Sequence, residues 1–230
     1  MVGERRFRDR TEAGMLMGQE LARRVKPGDD PIVLALPRGG VPVGYEIARA
    51  LDAPLDVFIV RKLGAPGHEE LAMGAIASGG VLVWNEDVRR YLHGVPQRDI
   101  DAVVAHEQKE LERREQSYRG ARSPLELAGR TAIVVDDGLA TGSTMRAAVR
   151  AIRKMNPRAI IVAVPVAASS TCAELRAEVD DIVCLRTPEP FTAVGLWYED
   201  FTQTMDEEVH ALLDASDPIA ATAARKGGRG

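Results

Sequence analysis

Aromatic residues are scarce in this chain, ten in 230, and cysteine is scarcer still, at two. Cys172 and Cys184 stand twelve residues apart, with no CxxC and no Cys/His spacing of the kind that holds zinc, so no structural metal is expected. One disulfide could form in an oxidising compartment, but two lone thiols fit a reducing cytosol better. Long apolar runs are also missing. The longest uncharged stretches, Leu71–Asn85 and Ala159–Ala173, have fifteen residues each and are interrupted by Gly or Pro, too short for a membrane span. The opening MVGERRFRDR is charged without a following apolar run, so it is not expected to be a secretory signal. Nor is there an excess of positive charge: thirty basic against thirty-four acidic residues leave −4. A nucleic-acid partner, which calls for a basic surface that releases phosphate counterions, is therefore not expected, and neither is a membrane. What is present, 45% apolar and 28% charged residues, suits one cytoplasmic globular domain of generous size.

The apolar runs are short and rich in β-branched residues: Ile32–Leu36, Leu55–Val60, Thr131–Val135, Ala159–Val166 and Ile182–Leu185. Continuous rather than alternating apolar character predicts strands covered on both faces, as in a parallel sheet. Helical stripes lie between them, Val43/Ile47/Leu51 and Met145/Ala148/Val149/Ile152/Met155, giving an α/β fold with crossover connections. Asp9-Arg-Thr-Glu12 reads as a capping box that opens a helix running to about Val25. Residues 86–119 read as a helical insertion broken near Gly94–Pro96, whose charged second half is expected to be a solvated helix. The Ala/Gly/Arg-rich segment 214–230 is expected to be a frayed or disordered tail.

One stretch carries most of the chemistry, Ala132-Ile-Val-Val-Asp-Asp-Gly-Leu-Ala-Thr-Gly-Ser-Thr144. An apolar strand ends in two adjacent carboxylates, then a loop of small and hydroxyl residues leads into a helix. Backbone N–H groups at a helix start, reinforced by Thr141, Ser143 and Thr144, form an anion cradle, and Gly142 lets the backbone approach a phosphate. The two acids are suited to accepting hydrogen bonds from vicinal hydroxyls or to holding a hydrated magnesium ion. One phosphate plus one diol describes a ribose 5-phosphate. A Walker A loop is excluded by the missing Lys, and the dinucleotide GxGxxG is absent.

This segment resembles the phosphoribosyl-pyrophosphate-binding motif of the type I phosphoribosyltransferases. The resemblance implies that Asp136 and Asp137 hold the ribose hydroxyls and, through substrate or water, Mg2+, while Gly138, Leu139, Ala140, Thr141, Gly142, Ser143 and Thr144 surround the 5-phosphate. A second segment, Ala35-Leu-Pro-Arg-Gly-Gly-Val-Pro-Val-Gly44, is similar to the family's pyrophosphate loop, with Arg38, Gly39 and Gly40 as binding residues and a cis peptide at Pro37–Arg38 or Arg38–Gly39. A third, Val60–Glu70, resembles the mobile loop that closes over the site, where Arg61 and Lys62 would neutralise pyrophosphate and Glu69 or Glu70 would contact the base.

The resemblance covers about residues 31–186. It implies a parallel-sheet type I phosphoribosyltransferase fold with helices on both faces and a small hood from the N-terminal segment and about 187–213, all one domain over 1–213. It also implies Mg2+-dependent transfer of the phosphoribosyl group from phosphoribosyl pyrophosphate to a nitrogen base, and a homodimer. Ala140 agrees with adenine-type loops, yet the aromatic residue expected near Glu69 and Glu70 is lacking, so a purine is one candidate acceptor. Phe191, Trp197, Tyr198 and Phe201 gather four of the ten aromatics in the hood, where a ring could stack on a planar base. A non-catalytic phosphoribosyl-pyrophosphate sensor is the alternative; the retained Arg38, Arg61 and Lys62 favour the enzyme.

Overall fold

The computed structural model describes residues 5–92, 94–120 and 122–216. Its centre is a five-stranded parallel sheet in the order β2-β1-β6-β7-β8, formed by Pro31–Ala35 (β1), Leu55–Val57 (β2), Thr131–Val135 (β6), Ala159–Val166 (β7) and Asp181–Arg186 (β8). Side-chain parity explains why these strands are apolar throughout. Val33, Ala35, Ile133, Val135, Ile161, Ala163 and Val183 point into one core cluster, whereas Ile32, Leu34, Ala132, Val134, Ile160, Val162, Val164 and Ile182 point into the other. Helices cover both faces, so neither set of alternate residues meets water.

The first cluster is closed by Met17 and Leu21 of α1 (Arg10–Leu21) and by Val41, Val43 and Ile47 of α2 (Gly40–Leu51). The second is closed by Met145, Ala148, Val149 and Ile152 of α5 (Ser143–Arg153) and by Leu175 of α6 (Ser169–Leu175). Helix α1 starts as its sequence predicts, with the Asp9 side chain accepting from the Glu12 N–H at 2.7 Å, but it ends at Leu21 rather than near Val25. The two cysteines, expected as free thiols, are joined in a disulfide. Cys184 on β8 has the same parity as Ile182 and so faces the side on which α6 carries Cys172, a proximity that spacing alone does not reveal.

The region after β2 departs most from expectation. The run Leu55–Val60 splits into β2 and the start of a separate strand, and the segment expected as a mobile loop is an antiparallel hairpin. Val60–Ala65 (β3), His68–Ala77 (β4) and Val81–Trp84 (β5) form a three-stranded sheet, with Gly79 and Gly80, both at positive φ, turning β4 into β5. Segment 86–119 comprises α3 (Glu86–Tyr91) and the 23-residue α4 (Gln97–Arg119). Helix α4 is not simply solvated: Leu111 is fully buried, and Ile100, Val103 and Val104 pack on the same cluster.

At the C-terminal end, α7 (Asp206–Ser216) buries Val209 and Leu213 in the main core. The segment expected as a tail from residue 214 thus begins as the last turn of this helix, and residues 217–230 lie outside those described. A smaller cluster of Phe7, Ala13, Val166 and Tyr198 joins the N-terminal segment to the chain around a 3-10 turn at Val194–Trp197. Backbone hydrogen bonds from Phe7 N–H to Trp197 O at 2.9 Å and from Glu199 N–H to Phe7 O at 2.8 Å stitch the two together.

Candidate active site

Asp136 and Asp137 follow β6 directly, at the carboxyl edge of the sheet between β1 and β7. In open α/β sheets, ligands bind outside this carboxyl edge of the strands. Asp136 Oδ1 accepts from the Asp137 N–H at 2.9 Å. Burial first, and then the charge of Asp137, push the Asp136 carboxyl well above the usual carboxylate range. Burial also raises Asp137, but there the Arg10 guanidinium opposes it. Arg10 Nε and Nη2 reach Asp137 Oδ2 at 2.9 and 2.8 Å, with both side chains largely buried.

Arg10 is itself held. Its Nη1 donates to Thr202 O at 2.7 Å, and its guanidinium lies 3.9 Å from the Phe201 ring centroid. Motif reading overlooks this residue, although a cation at the first position of a helix opposes the helix dipole and therefore calls for a partner elsewhere.

The loop after β1 meets the same acids. The Pro37–Arg38 peptide is cis, one of the two bonds singled out from the sequence. A Cβ on Gly39 would overlap the Asp137 carboxylate, and one on Gly40 would crowd Val135 O and the Asp136 backbone, so only glycine lets this loop close on the strand end. The Arg38 side chain reaches α7, where its guanidinium lies 3.7 Å from Asp206.

In the loop after the acids, Gly138 is packed by Val194, and Gly142 adopts positive φ as the residue preceding α5. Thr141 and Ser143 hydroxyls lie 3.2 Å apart, and the N–H groups of the first turn of α5 have no intrahelical acceptor. Ala140, Thr141, Ser143 and Thr144 are exposed. Leu139 differs from the expectation: it is buried, and its N–H donates to Val166 O at 2.9 Å, which commits that donor to the fold rather than to a ligand. The Ala140 carbonyl accepts from the Thr171 hydroxyl at 2.6 Å, fixing the loop against α6.

The structure does not bring the remaining expected residues to the acids. Arg61 and Lys62 on β3, with Glu69 and Glu70 on β4, border a cavity of about 620 Å³ between the hairpin and α4, whose walls include neither Asp136 nor Asp137. Arg61 is paired with Glu107 of α4 at 2.6 Å, and Lys62 lies 3.5 Å from Glu70. The charged run alone puts Glu107 on a solvated face. Its spacing from Val103, Val104 and Leu111 instead places it on the buried stripe, and that spacing is the overlooked signal.

Tyr198, expected as a stacking ring, is only 3% exposed. Its hydroxyl donates to Asp137 O at 2.6 Å, and burial and the nearby Asp137 charge raise its pKa above the ordinary phenol value. A ring this enclosed supports the acid motif and cannot lie flat on a base. Phe191 and Trp197 are half-buried against the same cluster.

Two strand-end acids, a loop of small and hydroxyl residues opening a helix, and a glycine loop packed on the acids fit a phosphoribosyl transferase domain. The family model of that description matches residues 13–196, and the chain belongs to this family. Two curated proteins provisionally named phosphoribosyl transferase, from the CDC 1551 / Oshkosh and H37Rv strains of Mycobacterium tuberculosis, are each 46% identical over 208 residues, covering 90% of this chain and 46% of theirs. The chain thus spans about half the length of these relatives. The crystal structure of TT1426 from Thermus thermophilus matches with a TM-score of 0.79 at 42% identity, over 90% of this chain and 97% of that one.

Proposed function

We propose that this chain transfers the 5-phosphoribosyl group of phosphoribosyl pyrophosphate to a nitrogen base, a purine being one candidate, with release of pyrophosphate. The observation that carries this reading is the juxtaposition at one strand end of two half-buried acids, Gly39 against the Asp137 carboxylate, and the start of α5 six residues after Asp137. Asp136 and Asp137 accept hydrogen bonds from the ribose hydroxyls. The free N–H groups at the start of α5, with the hydroxyls of Thr141, Ser143 and Thr144, hold the 5-phosphate.

Bond making at the anomeric carbon proceeds as the bond to pyrophosphate breaks, with inversion. The chain then has to stabilise negative charge that grows on the leaving group. Arg38, with the backbone of Gly39 and Gly40, faces that charge, and closure of the β3–β4 hairpin would add Arg61 and Lys62. Glu69 or Glu70, and Phe191 or Trp197, are the groups through which the base would be read.

Among the described residues no cluster of three or more His, Cys, Asp or Glu side chains could hold a metal by itself. The hard oxygen donors of Asp136 and Asp137 fit a magnesium ion that shares its coordination with substrate and water. When bound, magnesium supplies positive charge to the pyrophosphate. The same reading carries a cytoplasmic homodimer; among the described residues no helix is long and apolar enough to cross a membrane.

Pyrophosphate release measured with magnesium phosphoribosyl pyrophosphate and a panel of purine and pyrimidine bases tests the proposal. Base-dependent release is expected. Neither binding nor turnover with any base would overturn it.

A further inference from the structure

A second cavity, of about 430 Å³, opens where the Pro37–Arg38 turn meets the C-terminal half of α4 and the start of α7. Three of its lining residues are arginines, Arg38, Arg113 and Arg114, and one is a carboxylate, Asp206. Arg113 is also met by Glu110 on its own helix at 3.1 Å, whereas Arg114 pairs with no carboxylate among the described residues. Asp206 lies 3.7 Å from the Arg38 guanidinium and accepts a hydrogen bond from the Tyr118 hydroxyl. Guanidinium and phenol are the donors a phosphate oxygen would take, so the Asp206 carboxylate sits as an anion would. Only one residue separates Arg38 from Gly40, and Gly39 between them lies on Asp137.

We propose that this cavity is a diphosphate site in which the inserted helix α4 supplies Arg113 and Arg114 beside Arg38, and that Asp206 fills it until the ligand displaces it. The identity of the anion rests on the phosphoribosyl-transfer reading; the site itself rests on the cavity and its charges. A diphosphate carries more charge than Arg38 alone offsets, and arginine from a second element completes the neutralisation. The same donors would also suit a single phosphate group from another ligand, so the two sources need separate arms.

Calorimetric titration of the full chain with inorganic pyrophosphate, and separately with orthophosphate, tests this without turnover. Pyrophosphate is expected to bind more tightly than orthophosphate. Replacing both Arg113→Gln and Arg114→Gln should weaken pyrophosphate at least tenfold and flatten its salt dependence, while the double Lys variant keeps most of the affinity. Asp206→Asn, which keeps an acceptor for Tyr118 but removes the charge, should tighten binding about three- to tenfold. Unchanged affinity in the double Gln variant, or in Asp206→Asn, overturns the proposal, as does equal binding of orthophosphate. If bases support turnover while the double Gln variant binds pyrophosphate like the parent, the site falls and the transfer reading stands. If pyrophosphate binding depends on both arginines while no base supports turnover, the reverse holds.

Discussion

Two ion pairs frame the molecule differently. At the end of β6, Arg10 meets Asp137 with side chains 11% and 15% exposed; across the hairpin, Arg61 meets Glu107 with 25% and 15%. The first lies against a second, half-buried acid and two aromatic rings, the second beside an open cavity. An ion pair enclosed next to a like charge has to hold its geometry, because losing either member strands a charge in a poor dielectric. A pair at a cavity wall can open, with water ready to take both ends. The strand end is therefore the more constrained of the two regions, and the hairpin wall the more adjustable.

That contrast breaks first on stability. Arg10→Met should cost about 3–5 kcal/mol, since it leaves Asp137 buried and uncompensated. Arg61→Met should cost no more than about 1 kcal/mol, near the range for pairs that water can reach. Urea denaturation of the two variants measures both, and equal losses would end the distinction.

Next in size is catalysis. Asp136→Asn should lower kcat/KM for pyrophosphate release by about 10²–10³-fold, the scale for removing one positioned group that acts on the transition state. The same change should raise thermal stability, because a buried carboxyl crowded by a neighbouring charge is a folding cost. A variant that loses activity without gaining stability would separate the two roles.

The pH dependence sharpens the same point. The folded-state pKa of Asp136 lies above its ordinary value, first from burial and then from Asp137. Its contribution to stability is therefore fully present below the unfolded carboxylate pKa of about 4 and is lost as the pH rises through the higher folded value. Melting curves between pH 4 and 8 should show a loss that Asp136→Asn diminishes, the remainder belonging to Asp137, whose carboxyl burial also raises. The smallest effect belongs to Glu107→Gln. It releases Arg61 and should tighten phosphoribosyl pyrophosphate about two- to fivefold, roughly 0.4–1 kcal/mol, read by equilibrium binding.

What the sequence displays follows the same division. Strands β6 and β7 are legible to the residue because parallel strands buried on both faces leave unbroken apolar runs. The acid and loop motif is legible because its members are consecutive. The hairpin is not: Val60–Glu70 carries Gly64, Pro66 and Gly67, which read as loop, while the pairing of Leu63 with Gly74 that makes it a strand is a tertiary fact. The roles of Arg10, Tyr198 and Glu107 are equally hidden, since each depends on a partner 46 to 127 residues away. The cysteines show how composition can mislead, because their pairing follows from α6 lying on β8.

The stitching of Phe7 to Trp197 and Glu199 bears on how the site comes into being. Loop closure over nearly two hundred residues is among the slowest contacts a chain of this size makes, because its entropic cost falls due before any reward. The parallel sheet can assemble from nearer neighbours, but Arg10 reaches Asp137 only when the N-terminal segment docks. Newly folded molecules should thus pass through a state with a finished sheet and an unneutralised acid pair, so that ligand-binding competence lags behind the burial of the core.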